Sequence, residues 1–217
     1  MLEGVLFDLD GTLLDTAPDL AAALNRLRRD EGLEPTPFER LRPYTSQGVR
    51  GLLRAGFGMT PDHPDYRRLF DRFLEHYAAD LCVETQLFEG MDTLLDHLDA
   101  AGLPWGIVTN KKSRFTLPLL DALALRQRAA TIVSGDTTAA TKPSPLPVLH
   151  ACREAGCDPR RTLFVGDDPR DIEAGRAAGT LTAAVTFGYL GDSEPVEAWG
   201  ADFIAHDCAM LARAIFA

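Results

Sequence analysis

The stretch "VLFDLDGTLLDT", residues 5–16, joins an apolar strand to a pair of carboxylates. Asp8 and Asp10 come at the exit of the strand, and a strand that serves only the core needs no such pair. Gly11 then lets the chain leave the strand steeply, so that backbone N–H groups can approach an anion. The stretch therefore predicts a buried strand that ends in a binding or catalytic site. The rest of the sequence has to indicate what the two carboxylates bind.

From residue 90 onward, short apolar runs alternate with helical patterns. Such alternation is typical of a parallel sheet covered on both faces. The predicted strands are 4–8, 104–110, 130–135, 161–167, 181–188 and 201–205, and the predicted helices are 91–101, 113–123, 145–155, 168–178 and 208–216. The fold class is therefore α/β, with a Rossmann-like parallel-sheet core and helices on both faces.

Residues 16–88 differ, because they contain no convincing strand. Their pattern predicts helices at 18–31, 37–41, 46–55 and 64–81, with Thr16 as the cap of the first helix and Pro18 in its opening turn. We therefore expect an inserted α-helical cap domain over 16–88, and a catalytic core made of 1–15 and 89–217.

Composition limits the possible partners. The chain has 217 residues, 46% of them hydrophobic, which is enough for one large domain with an insertion. A net charge of −10 would repel nucleic acid, and no basic stripe offsets it. The apolar runs are too short to span a membrane, and the first residues, "MLEGVLFDLD", show no signal-peptide pattern. We expect a cytoplasmic enzyme, a monomer or homodimer, that binds neither nucleic acid nor membrane.

Histidine and cysteine do not form a metal-binding pattern. The four cysteines form no CxxC pair, and the five histidines show no i, i+4 pairing. The cysteines are interpreted as free thiols of a reducing compartment, and a zinc site is disfavoured.

Polar residues stand at the carboxyl ends of several predicted strands, where ligands bind in open parallel sheets. These residues are Asp8, Asp10, Thr109, Asn110, Lys142, Asp167, Asp168 and Asp171. Asp8, Asp167 and Asp171 would bring three negative charges together, which is unfavourable unless a divalent cation neutralises them. An all-oxygen ligand set of this kind suits Mg²⁺.

With a metal present, one carboxylate can attack phosphorus. Asp8 is the candidate nucleophile, since aspartyl-phosphate formation is an established use of this side chain. Asp10 stands where it can pass a proton to the leaving oxygen and later activate water. The Thr109 hydroxyl and the Lys142 ammonium would hold phosphate oxygens. The pattern predicts a phosphomonoester as the small-molecule substrate.

Four segments carry a resemblance to a known family. "DLDGTLLDT", "VTN", the lysine of "TKPSP" and "GDDPRD" match, in order, the four motifs of the haloacid dehalogenase superfamily of phosphohydrolases. The resemblance implies Asp8 as nucleophile, Asp10 as general acid and base, and Thr109 with Lys142 as phosphate ligands. It also implies that Mg²⁺ is held by Asp167, Asp171, Asp8 and the main-chain carbonyl of Asp10. Asp168 stands where Ser or Thr is common, which leaves Asp168 and Asp171 as alternatives in supporting the metal.

Within that superfamily, the sequence is most similar to the phosphoglycolate phosphatase branch. The segments that carry this similarity are "LFEGM", "GLPWGIVTNK", "LFVGDDPRDIEAGRAAG" and "AAVTFGY". The resemblance implies hydrolysis of 2-phosphoglycolate to glycolate and phosphate. Some members of the branch act on N-acetylmuramic acid 6-phosphate, so that substrate or another sugar phosphate is the alternative.

The cap and the lysines give weaker signals. In "YTSQGVRGLL", residues 44–53, Arg50 or Gln47 is hypothesised to contact the non-phosphate part of the substrate, while an exposed arginine at a helix start is an equal alternative. Only 3 lysines accompany 19 arginines, which favours a function for Lys142. Lys111 and Lys112 are expected to be solvated surface charges, with a place near the site left open for Lys111.

Three other functions are less consistent with the pattern. A signalling receiver module also combines Asp, Thr, Lys and Mg²⁺, but it is much shorter and lacks a helical insertion. A phosphosugar mutase would convert isomers without releasing phosphate. A dehalogenase needs no metal and lacks the acid/base carboxylate, so Asp10 is evidence against it.

Overall fold

The structure, a computed structural model, describes residues 1–191 and 194–216. Its strands are β1 (Gly4–Phe7), β2 (Leu14–Asp15), β3 (Gln86–Leu87), β4 (Trp105–Val108), β5 (Thr131–Val133), β6 (Thr162–Gly166), β7 (Leu181–Val185) and β8 (Phe203–Ala205). The α-helices are α1 (Ala17–Asp30), α2 (Phe38–Leu41), α3 (Gly48–Phe57), α4 (Tyr66–Ala79), α5 (Met91–Ala100), α6 (Ser113–Ala122), α7 (Leu146–Ala155), α8 (Pro169–Ala178) and α9 (Cys208–Phe216). Short 3-10 helices cover Arg42–Gln47, Pro159–Arg161 and Val196–Ala198.

A six-stranded parallel sheet forms the centre of the molecule, in the order β5-β4-β1-β6-β7-β8. Strand β1 is fully buried, and its side chains alternate between the two faces. Val5 and Phe7 pack on the face covered by α5, α6 and α9, whereas Leu6 packs on the face covered by α7 and α8. Both faces of the sheet are therefore covered, and the predicted α/β class with a Rossmann-like core is confirmed.

Helices α1 to α4 lie between β2 and β3, where the sequence predicts the cap. Their apolar residues form a cluster of their own, centred on Leu24, Leu52 and Phe73. The two-stranded antiparallel ribbon β2–β3 joins this helical part to the sheet. The proposed domain bounds at 16 and 88 stay a prediction, but strand β3 lies inside a segment expected to have no strand, so that expectation is wrong.

The first cap helix begins differently from the prediction. Thr16 is at its N-cap position and Pro18 lies in its first turn, but the Thr16 side chain makes no capping bond. The hydroxyl of Thr16 instead donates to Asp10 Oδ1 at 2.5 Å. The predicted capping role of Thr16 is therefore wrong. Its backbone has helical dihedral angles, φ −93° and ψ −3°, instead of the extended conformation typical of a capping residue, and the amides of Thr16 and Ala17 donate to the Tyr189 hydroxyl.

Among the residues that the structure describes, no helix combines the length and the apolar character needed to cross a bilayer. Cys82, Cys152, Cys157 and Cys208 are all free, as the sequence predicts.

Candidate active site

Central strands β1, β4 and β6 are neighbours in the sheet, so their carboxyl ends meet at one edge. Asp8 follows β1, Thr109 follows β4 and Asp167 follows β6. Lys142 reaches the same place from the loop after β5, and its ammonium donates to Asp8 Oδ1 at 2.6 Å and to the Val108 carbonyl at 2.8 Å. Residues far apart in the sequence thus converge in one small volume.

Three buried carboxylates form a cluster at this edge. One oxygen of each of Asp8, Asp167 and Asp171 lies within 4.8 Å of the others. Burial raises the pKa of Asp167 to about 7, and the Asp8 carboxylate adds to the shift. Burial also raises the pKa of Asp171 well above its ordinary value, although Lys142 works in the opposite direction. When all three groups are ionised, the cluster therefore carries more negative charge than the protein neutralises.

Lys142 supplies the nearest compensating charge. Its Nζ lies 2.7 Å from Asp171 Oδ1 and 2.6 Å from Asp8 Oδ1. Burial alone would lower the pKa of Lys142, but the two carboxylates outweigh burial and raise it. Lys142 is therefore charged. One ammonium cannot balance three carboxylates, so this donor set fits a hard divalent cation such as Mg²⁺.

Asp168 and Asp171 have different partners. Asp168 accepts bonds from the Arg170 guanidinium at 2.7 and 2.8 Å, whereas Asp171 faces Lys142 and Asp8. The two also form a capping box at the start of α8, in which Asp171 Oδ2 accepts from the Asp168 amide at 3.2 Å. The geometry thus places Asp171, and not Asp168, with the acidic cluster.

Asp10 lies beside the cluster with partners of its own. Its Oδ1 accepts from Thr16 Oγ1 at 2.5 Å and from Lys111 Nζ at 2.7 Å. The Lys111 side chain is only 8% exposed and its ammonium lies 4.9 Å from the centre of the Tyr77 ring. The expectation of a solvated Lys111 is therefore wrong, because the ion pair with Asp10 holds it inside, and the alternative, a place near the site, is confirmed. Lys112 is exposed, as predicted.

Two residues expected to bind substrate have structural partners. The Gly11 amide itself donates to the Leu14 carbonyl at 3.0 Å, and the approach of neighbouring backbone N–H groups to an anion stays a prediction. Gly11 has a φ of +93°, and a Cβ there would collide with the Asp167 carboxylate, so glycine is required for conformation and for space. The Asn110 side chain bonds to both backbone groups of Lys142, at 2.9 and 3.0 Å, and thereby positions that residue. Substrate binding by Asn110 stays a prediction.

Three contacts to Asp167 were not anticipated from the sequence. Thr12 Oγ1 donates to Asp167 Oδ1 at 3.1 Å, while Ser46 Oγ and the Tyr189 amide donate to Oδ2 at 2.8 and 2.9 Å. Ser46 belongs to the cap, and the Arg170 guanidinium of the core donates to its carbonyl at 2.8 Å. The cap is thus bonded directly to the acidic cluster.

A cavity of about 360 Å³ opens between the sheet edge and the cap. Asp8, Asp10, Thr109 and Lys142 line its core end. The Thr109 hydroxyl accepts from the Lys111 amide at 3.1 Å, which leaves its own proton for a ligand oxygen. The cap end is lined by apolar side chains of α4 and by Thr45, Gln47 and Arg50, which puts the predicted cap residues in the same cavity.

A fold and a site of this kind define a class of hydrolase. A family model described as haloacid dehalogenase-like hydrolase matches residues 5–185, and the chain belongs to that family. An N-acetylmuramic acid 6-phosphate phosphatase from Pseudomonas aeruginosa is 44% identical over 94% of this chain and 90% of its own length. A phosphoglycolate phosphatase from Xanthomonas campestris is 43% identical over 95% of this chain and 93% of its own length. Among solved structures, a predicted phosphoglycolate phosphatase from Haemophilus somnus is 26% identical with a TM-score of 0.85, covering 98% of this chain and 97% of that one.

Proposed function

We propose that this protein is a Mg²⁺-dependent phosphomonoester hydrolase that works through an aspartyl-phosphate on Asp8. The observation that carries the proposal is the buried cluster of Asp8, Asp167 and Asp171, with Asp10 beside it and Lys142 between two of its carboxylates. The named phosphatases at 43–44% identity support the same activity.

In the first step, a carboxylate oxygen of Asp8 forms a bond to phosphorus while the bond between phosphorus and the ester oxygen breaks. Asp10 gives its proton to the departing oxygen, so that an alcohol leaves. In the second step, a water oxygen attacks the phosphorus of the acyl phosphate, and Asp10 takes a proton from that water. Inorganic phosphate is released and the Asp8 carboxylate is restored.

The phosphate would be held by Thr109 and Lys142, whose hydroxyl and ammonium donate to its oxygens. Asp8, Asp167 and Asp171 would hold Mg²⁺, together with the main-chain carbonyl of Asp10. When bound, the metal supplies charge neutralisation, which lets an anionic phosphate approach an anionic nucleophile.

The substrate has two candidates among the relatives. 2-Phosphoglycolate is suggested by the Xanthomonas protein, and N-acetylmuramic acid 6-phosphate by the Pseudomonas protein. Both candidates are phosphomonoesters that also carry a carboxylate. The cavity of about 360 Å³ lies within the usual range for ligand pockets, roughly 300–1,000 Å³, so its size is compatible with the larger candidate as well as the smaller one.

Phosphate release from both compounds, measured with Mg²⁺ and with EDTA, tests the proposal. We expect release that stops with EDTA and returns with added Mg²⁺, and we expect Asp8→Asn to abolish it while far-UV circular dichroism is unchanged. Turnover by the Asp8→Asn protein would contradict the aspartyl-phosphate. Interconversion of sugar phosphates without release would favour a mutase, and a single stoichiometric phosphorylation would favour a receiver module.

The oligomeric state and the compartment stay predictions. Size-exclusion chromatography with light scattering would discriminate the expected monomer from the homodimer.

A further inference from the structure

Three buried hydroxyl groups in the cap have no hydrogen-bond partner within residues 1–191 and 194–216: Thr45 Oγ1, Tyr66 OH and Tyr77 OH. Tyr66 lies outside the lining of the cavity, whereas Thr45 and Tyr77 belong to it and are each only 2% exposed. Both residues line the cavity, Thr45 from the 3-10 helix Arg42–Gln47 and Tyr77 from α4. A buried polar group without a partner is unfavourable, so two such groups around one cavity indicate a ligand that supplies the partners.

Two arginines of the same cavity lack a counter-ion. Arg50 on α3 and Arg114 in the first turn of α6 both line it, and neither forms an ion pair with a carboxylate in the described part of the chain. The cations nearer the sheet edge are paired differently: Lys111 with Asp10, Lys142 with Asp8 and Asp171, and Arg170 with Asp168. Positive charge is thus left over at the cap end.

The remaining wall of the cap end is hydrocarbon. Phe70, Phe73 and Leu74 of α4 line the cavity on one side, and Phe115 of α6 joins them from the core. The cap end therefore combines an apolar wall with buried hydroxyls and uncompensated guanidinium groups. That combination suits a ligand with a carbon skeleton, oxygen substituents and a negative charge.

We propose that Arg50 and Arg114 bind a carboxylate on the leaving group of the substrate. The Thr45 and Tyr77 hydroxyls form hydrogen bonds with other oxygen atoms of the same leaving group. The substrate class is then the phosphomonoester of a sugar acid or similar hydroxylated acid, large enough to reach from Asp8 to the cap. This inference rests on the proposed function, since the phosphate has to sit at the core end.

Charge supports the assignment. The whole chain carries −10, so an anionic substrate is repelled on average. Binding of a substrate with both a phosphate and a carboxylate needs local positive charge at two places. Lys142 supplies it at the core end. Arg50 and Arg114, which have no ion-pair partner among the described residues, supply it at the cap end, where Arg can also hold a carboxylate in a bidentate geometry.

A matched pair of substrates tests the carboxylate. N-Acetylmuramic acid 6-phosphate and N-acetylglucosamine 6-phosphate differ only in the lactic acid ether, which brings the carboxylate. We expect kcat/KM of the unmodified protein to be at least tenfold higher for the first compound. In the double variant Arg50→Gln, Arg114→Gln, the ratio of the two kcat/KM values should fall to about one, mainly through KM of the carboxylate compound. Arg153→Gln, an exposed arginine on α7, is the matched control and should keep the ratio.

Removal of the two hydroxyl groups is an independent test of the proposal. Thr45→Val and Tyr77→Phe should each lower kcat/KM for both sugar phosphates by about tenfold and leave their ratio in place. An equal loss for both substrates in the arginine double variant, or equal kcat/KM of the unmodified protein for both, would overturn the inference. The absence of phosphate release from any phosphomonoester would instead contradict the proposed function, so the two failures are distinguishable.

Discussion

At the scale of single residues, Asp10 has its carboxylate held by two donors that come from opposite sides of the site. Thr16 lies at the start of the cap and Lys111 lies in the core, and both bond to the same oxygen. An acid/base group has to be aimed at the leaving oxygen, so these donors are expected to set its orientation. Lys111 is thus a positioning residue in the proposed reaction.

We expect Lys111→Gln to lower kcat by roughly 10- to 100-fold, because Asp10 loses a charged partner. The loss should be larger for an alkyl phosphate than for p-nitrophenyl phosphate, whose leaving group does not need a proton. Lys112→Gln is the matched control, since its ammonium donates to the Gly135 carbonyl at 2.9 Å and forms no ion pair with a carboxylate of the described residues. Similar losses for both variants, or for both kinds of substrate, would contradict the role given to Lys111.

The acidic cluster predicts a pH-dependent stability in the absence of metal. Burial raises the pKa of Asp167 from 3.8 to about 7, so in that window the folded protein binds a proton that the unfolded chain does not. The unfolding free energy therefore falls as pH rises from about 4 to 7. Asp167→Asn removes this dependence. In EDTA, the difference in unfolding free energy between the unmodified protein and the variant should change by roughly 1–4 kcal/mol between pH 4.5 and 8. Urea unfolding at several pH values measures this difference. If the unfolding free energies of the two proteins changed with pH in the same way, the raised pKa of Asp167 would be contradicted.

Part of the site could be predicted from the sequence because strand ends of a parallel sheet meet at one edge. Asp8, Asp167 and Lys142 follow that rule, and the structure brings them together. Lys111 and Ser46 do not follow it. Ser46 bonds to Asp167 across 121 residues, a contact that depends on how the cap folds back and leaves no local pattern in the sequence.

At the scale of secondary-structure elements, the start of α1 is bonded to the core. Tyr189, in the loop after β7, accepts from the amides of Thr16 and Ala17 at 2.7 and 2.9 Å and donates to Asp15 Oδ1 at 2.9 Å. A phenol from the core thus occupies the place of a side-chain cap at this helix. The amide of the same residue donates to Asp167, so Tyr189 contacts both the start of α1 and the acidic cluster.

Tyr189→Phe should therefore lower the unfolding free energy by about 1–3 kcal/mol, since it leaves two buried amide donors without an acceptor. Tyr77→Phe is the matched control, because the Tyr77 hydroxyl has no partner within the described residues. We expect Tyr77→Phe to leave stability unchanged or slightly higher. Urea unfolding of both variants at one pH makes the comparison. Equal losses of unfolding free energy would show that the bonds of the Tyr189 hydroxyl do not stabilise the protein.

The elements that the sequence predicts well are those whose periodicity is set by burial. Strands such as β1 and β6 are continuous apolar runs, and helices such as α4 carry one apolar stripe. The ribbon β2–β3 escapes prediction because each of its strands is only two residues long, too short for any pattern. The capping of α1 escapes it because the acceptor, Tyr189, is distant in sequence.

At the scale of the whole molecule, one core residue packs inside the cap. Phe115 projects from α6 into the apolar cluster of the cap, and its ring centre lies 5.6 Å from that of Tyr77. With the Ser46 bonds to Asp167 and Arg170, this contact joins the two parts over the cavity. The ion pair of Arg42 with Asp15 and the contact of Lys111 with the Tyr77 ring also join the two parts. We expect a substrate to enter while the Phe115 and Ser46 contacts over the cavity are broken.

Phe115→Ala removes the apolar contact and should shift the molecule towards open arrangements. We expect KM to rise by roughly 5- to 20-fold with a smaller change in kcat, because closure then depends more on the substrate. Amides in 44–50, the cap segment that touches Asp167, should exchange hydrogen faster, while those of the central strands keep their protection. Hydrogen–deuterium exchange read by mass spectrometry gives both measurements in one experiment.

The control for this variant is Phe164→Ala, which removes a buried ring from the core on strand β6. A large-to-small change at such a position costs about 3–5 kcal/mol, and it should raise exchange across the sheet rather than in the cap segment. The two substitutions delete the same group, so their exchange patterns separate loss of closure from loss of global stability. If Phe115→Ala also raised exchange uniformly across the sheet, or left KM unchanged, its ring would serve only packing, and closure of the cap would have to rest on the other contacts between cap and core, those of Ser46 among them.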